Sequence, residues 1–154
     1  LFLKQQEKGV LSITDERMTR FNITLQEGVE FVIHCLERMW GGELFVPKIP
    51  SYNITDVAKA VNGDCQIEIV GIRPGEKLHE EMITATDAMN TVEFNDYFAI
   101  TPNIKYLPWD LEKFINESSG LQGQYCEDGF SYNSGSNKQF LSVDELRKLI
   151  ENHV

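Results

Sequence analysis

Positive charge is scarce in this sequence. Fourteen Lys and Arg stand against twenty-four Asp and Glu, a net charge of −10 over 154 residues. That balance excludes duplex nucleic acid and anionic membrane surfaces as general partners. It holds on both sides of Ile83, with a net charge of −4 before it and −6 from it onward. Cysteine is sparse too: Cys35, Cys65 and Cys126 lie far apart without a C-x-x-C spacing. An odd count excludes a disulfide framework and fits reduced thiols in a cytoplasm. No apolar run approaches the ~20 residues of a membrane-spanning helix, and no basic start leads into an apolar stretch as a signal peptide would. No membrane partner is expected.

Chemical signatures are missing as well. There is no G-x-S-x-G, no P-loop, no glycine-rich dinucleotide fingerprint, and no Tyr four positions before a Lys. The chain itself therefore shows neither a catalytic residue nor a cofactor cradle. His34, His79 and His153 lack metal-ligand spacing, since His79-Glu80-Glu81 is not H-E-x-x-H and neighbouring helix residues diverge. No metal site is expected.

What is present suffices for a core, with 42% hydrophobic residues. Leu1 to Lys8 reads as the end of a helix closed by Gly9, and Val10 to Thr14 as a strand. The chain opens on Leu1-Phe2-Leu3 within an amphipathic segment, so a piece of something longer is expected. Thr24 is a candidate N-cap for a helix on which Val29, Phe31, Val32, Cys35, Leu36 and Met39 recur at helical spacing. Further expectations are a strand over 43–47, a turn over 50–53, a helix over 54–61, a strand over 66–72, a helix over 76–82 and a strand over 93–101. A loop up to Pro108, a short helix from Asp110, a loop-rich segment over 120–137 and a helix capped by Ser142 with Glu145 complete the reading.

Arg20 and Arg73 are two of only five arginines, and each falls at a loop or strand end. Guanidinium groups so placed suit a diphosphate, whose oxygens accept paired hydrogen bonds. Glu76 follows Pro74-Gly75, a turn that brings a carboxylate back beside Arg73, where it would accept from sugar hydroxyls. Surface ion pairs for the arginines, and a first-turn helix position for Glu76, account for the same spacing.

The stretches Arg17-Met-Thr-Arg-Phe21, Ile72-Arg-Pro-Gly-Glu-Lys-Leu-His-Glu-Glu-Met82 and Phe130-Ser-Tyr-Asn-Ser-Gly135 closely resemble the inverting UDP-N-acetylglucosamine 4,6-dehydratases. These are extended short-chain dehydrogenases/reductases of polysaccharide and pseudaminic acid biosynthesis. The likeness runs over essentially all of residues 1–154 but covers only the family's C-terminal half. It implies an α/β fold, the substrate-binding portion of a Rossmann-superfamily enzyme with most of the Rossmann sheet missing. It also implies UDP-N-acetylglucosamine or a related UDP-sugar as ligand, Arg20 and Arg73 on the pyrophosphate, Glu76 on the ribose, and the backbone around Ser12 and Thr14 on the uracil. Ser12 stands where proline is common in the family, and Asn22 where an aromatic is common. In the whole enzyme, a lyase, NADP held by the N-terminal half oxidises the sugar at carbon 4, water leaves across carbons 5 and 6, and the hydride returns with inversion at carbon 5. The product is a 4-keto-6-deoxy sugar. The resemblance implies a homo-oligomer at full length and an inactive chain in isolation. Another epimerase or dehydratase of the same branch, or a non-catalytic nucleotide-binding or oligomerisation module, are the competing readings.

Overall fold

The computed structural model describes residues 1–102, 109–117 and 123–153. The loop expected up to Pro108, the start of the loop-rich segment at Gly120, and the side chain of His153 lie outside the described residues. Helices are α1 (Phe2–Gln5), α2 (Leu25–Arg38), α3 (Ile54–Val61), α4 (Leu111–Glu117) and α5 (Val143–His153). Strands are β1 (Val10–Ile13), β2 (Thr19–Phe21), β3 (Leu44–Pro47), β4 (Ser51–Asn53), β5 (Gln66–Ile69), β6 (Glu81–Ile83), β7 (Thr91–Glu93), β8 (Tyr97–Ile100), β9 (Gln124–Tyr125) and β10 (Tyr132–Asn133). The chain is α/β, and it divides into two compact units, residues 1–22, 49–80 and 133–154 in one and 23–48 and 81–132 in the other.

In the first unit β1 and β5 pair in parallel, Val10 opposite Gln66 through Ile13 opposite Ile69. Alternation along β1 buries Leu11 and Ile13, which pack with Ala58 of α3 against Phe2, Ile54 and Cys65. Gly9 closes the preceding turn at φ 71°, a left-handed conformation that favours glycine. Strand β2 runs antiparallel to β4, with Arg20 opposite Tyr52. The turn expected over 50–53 is thus a strand. It is held by the fully buried Ser51, whose N–H donates to the Gln139 carbonyl and whose carbonyl accepts from the Leu141 N–H, both at 2.8–2.9 Å. Helices α3 and α5 pack together in this unit, with Leu146 of α5 buried.

The second unit is a four-stranded sheet in the order β3, β8, β7, β9. Its core joins Val92, Phe94, Tyr97, Ala99 and Phe114, flanked by Phe31, Phe45 and Trp109. The strand expected over 93–101 is two strands. Asn95 and Asp96, both turn formers, reverse the chain while the Phe94 N–H donates to the Tyr97 carbonyl at 2.9 Å. Helix α2 carries the expected cap: Thr24 Oγ1 accepts from the Glu27 N–H, and the Glu27 carboxylate accepts from the Thr24 N–H at 2.7 Å.

The helix expected over 76–82 does not form. Residues 70–80 are irregular, and β6 begins at Glu81. The backbone groups that a helix would pair internally are held by distant partners. The Leu78 carbonyl accepts from the Thr19 N–H at 3.0 Å, the Lys77 carbonyl accepts from Arg20, and the Glu80 N–H donates to Ser134. Tertiary hydrogen bonds thus override local propensity.

Candidate functional site

The 73–76 turn is built locally. The Glu76 N–H donates to the Arg73 carbonyl at 3.1 Å, and the Glu76 carboxylate accepts from the Arg73 N–H at 3.0 Å. Gly75, at φ 87°, supplies the left-handed residue that the reversal needs. The carboxylate therefore folds back beside Arg73, as the spacing predicts. Both residues are exposed, and among the described residues the Arg73 guanidinium has no ion-pair partner.

Arg20 differs. From the half-buried middle of β2 its guanidinium donates to the carbonyls of Thr19 at 2.7 Å, Leu78 at 3.2 Å and Lys77 at 3.1 Å. Its Nε lies 3.4 Å from Glu80. The side chain is engaged with the 73–80 loop, so it anchors the loop that carries Arg73 and Glu76. Burial raises the Tyr52 phenol above its ordinary range, and the nearby Arg20 charge partly offsets the rise.

A second set of contacts holds the other end of the loop. Thr19 Oγ1 lies 2.8 Å from His79 Nδ1 and 2.7 Å from Ser134 Oγ. Ser134, fully buried, accepts from the Glu80 N–H at 2.9 Å and donates to the Thr19 carbonyl at 3.2 Å, while its own N–H donates to the Glu80 carbonyl at 2.8 Å. A Cβ on Gly135 would stand 2.6 Å from the His79 ring, so any larger residue there would have to displace that ring from Thr19. Thr19, His79 and Ser134 escape a reading by charge and spacing. Their only signal in the sequence is that they sit within the motif stretches that carry the family resemblance.

Ser12 lies on β1, and its N–H donates to the Gln5 side chain at 3.2 Å. Thr14 follows the strand end, where the Ile13 carbonyl accepts from the Val70 N–H at 2.9 Å. The edge of the β1–β5 pair thus joins Ser12 to the start of the 70–80 segment, whereas no hydrogen bond links Ser12 or Thr14 with Arg20, Arg73 or Glu76 among the described residues.

No group of His, Cys, Asp and Glu that would hold a metal occurs among the described residues. His34 packs edge-on to Tyr97 with ring centroids 5.4 Å apart, and desolvation lowers its pKa. Burial pushes the Cys126 thiol up to about 11, with Glu93 adding to the rise, and burial also raises Cys35; neither is an activated nucleophile. Among the described residues, the β4–α3 junction differs from a glycine-rich dinucleotide turn. The strand-to-helix junction from β4 to α3 passes through Asn53 with no glycine at all, so no backbone cradle faces the α3 N-terminus.

Residues 1–102 match the polysaccharide biosynthesis protein family. The inverting UDP-N-acetylglucosamine 4,6-dehydratase of Campylobacter jejuni subsp. jejuni serotype O:2 is 51% identical over 93% of this chain and 42% of its own length. The UDP-glucose 4-epimerase of Rickettsia conorii is 33% identical over 97% of this chain and 43% of its own. The X-ray structure of Pen from Bacillus thuringiensis superimposes with a TM-score of 0.73 at 27% identity, over 98% of this chain and 44% of that one. The chain thus spans less than half the length of the curated relatives it matches.

Proposed function

The chain belongs to the polysaccharide biosynthesis protein family, with the α/β fold of part of an extended short-chain dehydrogenase/reductase, and on that premise we propose that it is the UDP-sugar-binding portion of an inverting UDP-N-acetylglucosamine 4,6-dehydratase. The observation that carries the reading is the 73–76 turn, which folds the Glu76 carboxylate back onto the Arg73 backbone N–H on an exposed loop, with the Arg73 guanidinium in no ion pair among the described residues. Arg73 takes the pyrophosphate through paired hydrogen bonds. Glu76 accepts from the ribose hydroxyls, and the backbone around Ser12 and Thr14 reads the uracil edge. Arg20 anchors the loop and adds a second positive charge to the pyrophosphate, reaching it when Glu80 yields its place at Nε. In a chain of net charge −10, these two cations create the local field that an anion needs.

The redox chemistry lies elsewhere. Bound by the other half of the enzyme, NADP would supply the transient oxidation at carbon 4, and the residues here bind and orient the UDP-sugar for a reaction that inverts carbon 5. The full-length protein is a cytoplasmic homo-oligomer, and its 4-keto-6-deoxy product feeds surface polysaccharide or pseudaminic acid synthesis. The chain alone turns over no substrate.

Titration calorimetry with UDP tests the reading. Wild type should give saturable heat, and Arg73→Ala should weaken binding by about 1.5–3 kcal/mol, the value of hydrogen bonds to a charged group. Absence of saturable binding, or equal affinity in the variant, would refute it. The 33% identity to a UDP-glucose 4-epimerase makes epimerisation the competing outcome, and NMR of the product formed by the full-length enzyme separates the two.

A further inference from the structure

Among the described residues, strand β1 pairs with β5 on one side only. The Gly9 carbonyl accepts from the Gln66 N–H and the Ile13 carbonyl from the Val70 N–H, both at 2.9 Å. The odd-numbered residues thus face β5, and the N–H and carbonyl of Ser12 face the open edge. There the Ser12 N–H donates to Oε1 of Gln5, the last residue of α1, at 3.2 Å. A backbone N–H can only donate, and this fixes how the carboxamide turns, with its oxygen to Ser12 and its Nε2 away. Nε2 has no hydrogen-bond partner among the described residues, and Gln5 is half-buried. The open edge therefore offers the Ser12 carbonyl as an acceptor and the Gln5 Nε2, held in place, as a donor. Uracil has the complement in its N3–H and its oxygen at position 4, whereas cytosine carries an amino donor at position 4. Proline, common at position 12 in the family, has no N–H, so the Gln5–Ser12 contact is a property of this chain.

We propose that Gln5 determines base specificity: its Nε2 donates to the uracil oxygen at position 4 while the Ser12 carbonyl accepts from N3–H, so uridine nucleotides are taken and cytidine nucleotides rejected. The proposal rests on the reading of this chain as a UDP-sugar-binding portion with the base at Ser12 and Thr14. Position 4 faces Gln5 because the ribose lies the other way. Strands β1 and β5 both run toward the segment that carries Arg73 and Glu76, and the ring carbonyl next to the ribose is at position 2. Cytosine would set its amino group against the Gln5 amide, two donors with no acceptor between them.

Calorimetric titration of this chain with UDP and with CDP tests the proposal. The two ligands differ only at position 4 and in the N3 proton, so the ratio of their affinities isolates the base. Wild type should bind UDP about tenfold or more tightly than CDP. In Gln5→Glu one carboxylate oxygen still accepts from Ser12 and the other turns an acceptor to the base, so the ratio should fall by about tenfold or more. Gln5→Met lacks both groups and should lower the ratio without favouring CDP; it serves if circular dichroism shows that the glutamate variant does not fold. Arg73→Ala should weaken both ligands and leave the ratio unchanged. Equal affinities in wild type, or the wild-type ratio in both Gln5 variants, overturn this proposal alone, since UDP still binds. Absence of saturable UDP binding in wild type sinks the UDP-sugar reading and the proposal with it.

Discussion

Replacing Ser134 by Ala should loosen the loop that carries Arg73 and Glu76, by an amount set by which atoms lose partners. Ser134 is 0% exposed, and its Oγ is the acceptor for the Glu80 N–H at 2.9 Å and a neighbour of Thr19 Oγ1 at 2.7 Å. Truncation leaves the Glu80 N–H without its acceptor, whereas Thr19 Oγ1 keeps His79 Nδ1 at 2.8 Å and the Thr19 carbonyl, losing the Ser134 hydroxyl, keeps Arg20 at 2.7 Å. A donor left unsatisfied costs about 1–3 kcal/mol when buried, and the Glu80 N–H is part-buried, which sets the upper bound for its loss. At 1.4 kcal/mol per tenfold, local opening of the 77–80 segment should rise by up to roughly 150-fold. Amide hydrogen exchange read by NMR should show that acceleration at Glu80 and at Thr19, whose N–H donates to the Leu78 carbonyl. Amides of the β3–β8 ladder should stay unchanged. Ser136→Ala is the control, since among the described residues only its backbone N–H is engaged, with Asn133 Oδ1. Unaltered exchange at Glu80 in Ser134→Ala, or the same acceleration in Ser136→Ala, would refute the reasoning.

Phe114, fully buried among Trp40, Phe94 and Trp109, should cost about 3–5 kcal/mol on truncation to Ala; a loss below 1 kcal/mol in thermal or urea melts would mean that this cluster does not hold the second unit. The Glu145 carboxyl is held below its ordinary range, chiefly by its hydrogen bond from the Ser142 hydroxyl and then by that from the Ser142 N–H. Its contribution to the α5 N-terminus is therefore present above the usual carboxylate pKa and lost as pH falls through the depressed value. Glu145→Gln should remove that acid-side dependence in a pH series of melts, and an unchanged series would contradict it.

Much of this fold was decided within a few residues of chain. The Thr24–Glu27 and Ser142–Glu145 caps close across three residues, Gly9 ends its turn by its own φ, and helix α3 occupies its expected span. The 73–76 turn is equally local, so the pairing of Arg73 with Glu76 was readable from Pro74-Gly75. Charge scarcity singled out Arg20 as well, but not what Arg20 does. Its partners lie 57 and 58 residues away along the chain, and the Thr19–Ser134 contact spans 115. Only the tertiary structure brings those groups together. It withdraws residues 76–80 from the helix that their composition favours, because each backbone group taken by β2 or Ser134 is one that a helix can no longer pair. The same holds for α2: the 3.6-residue period fixed the helix and its apolar stripe, whereas packing alone determined that Phe31 faces the core and Val32 and Leu36 face outward.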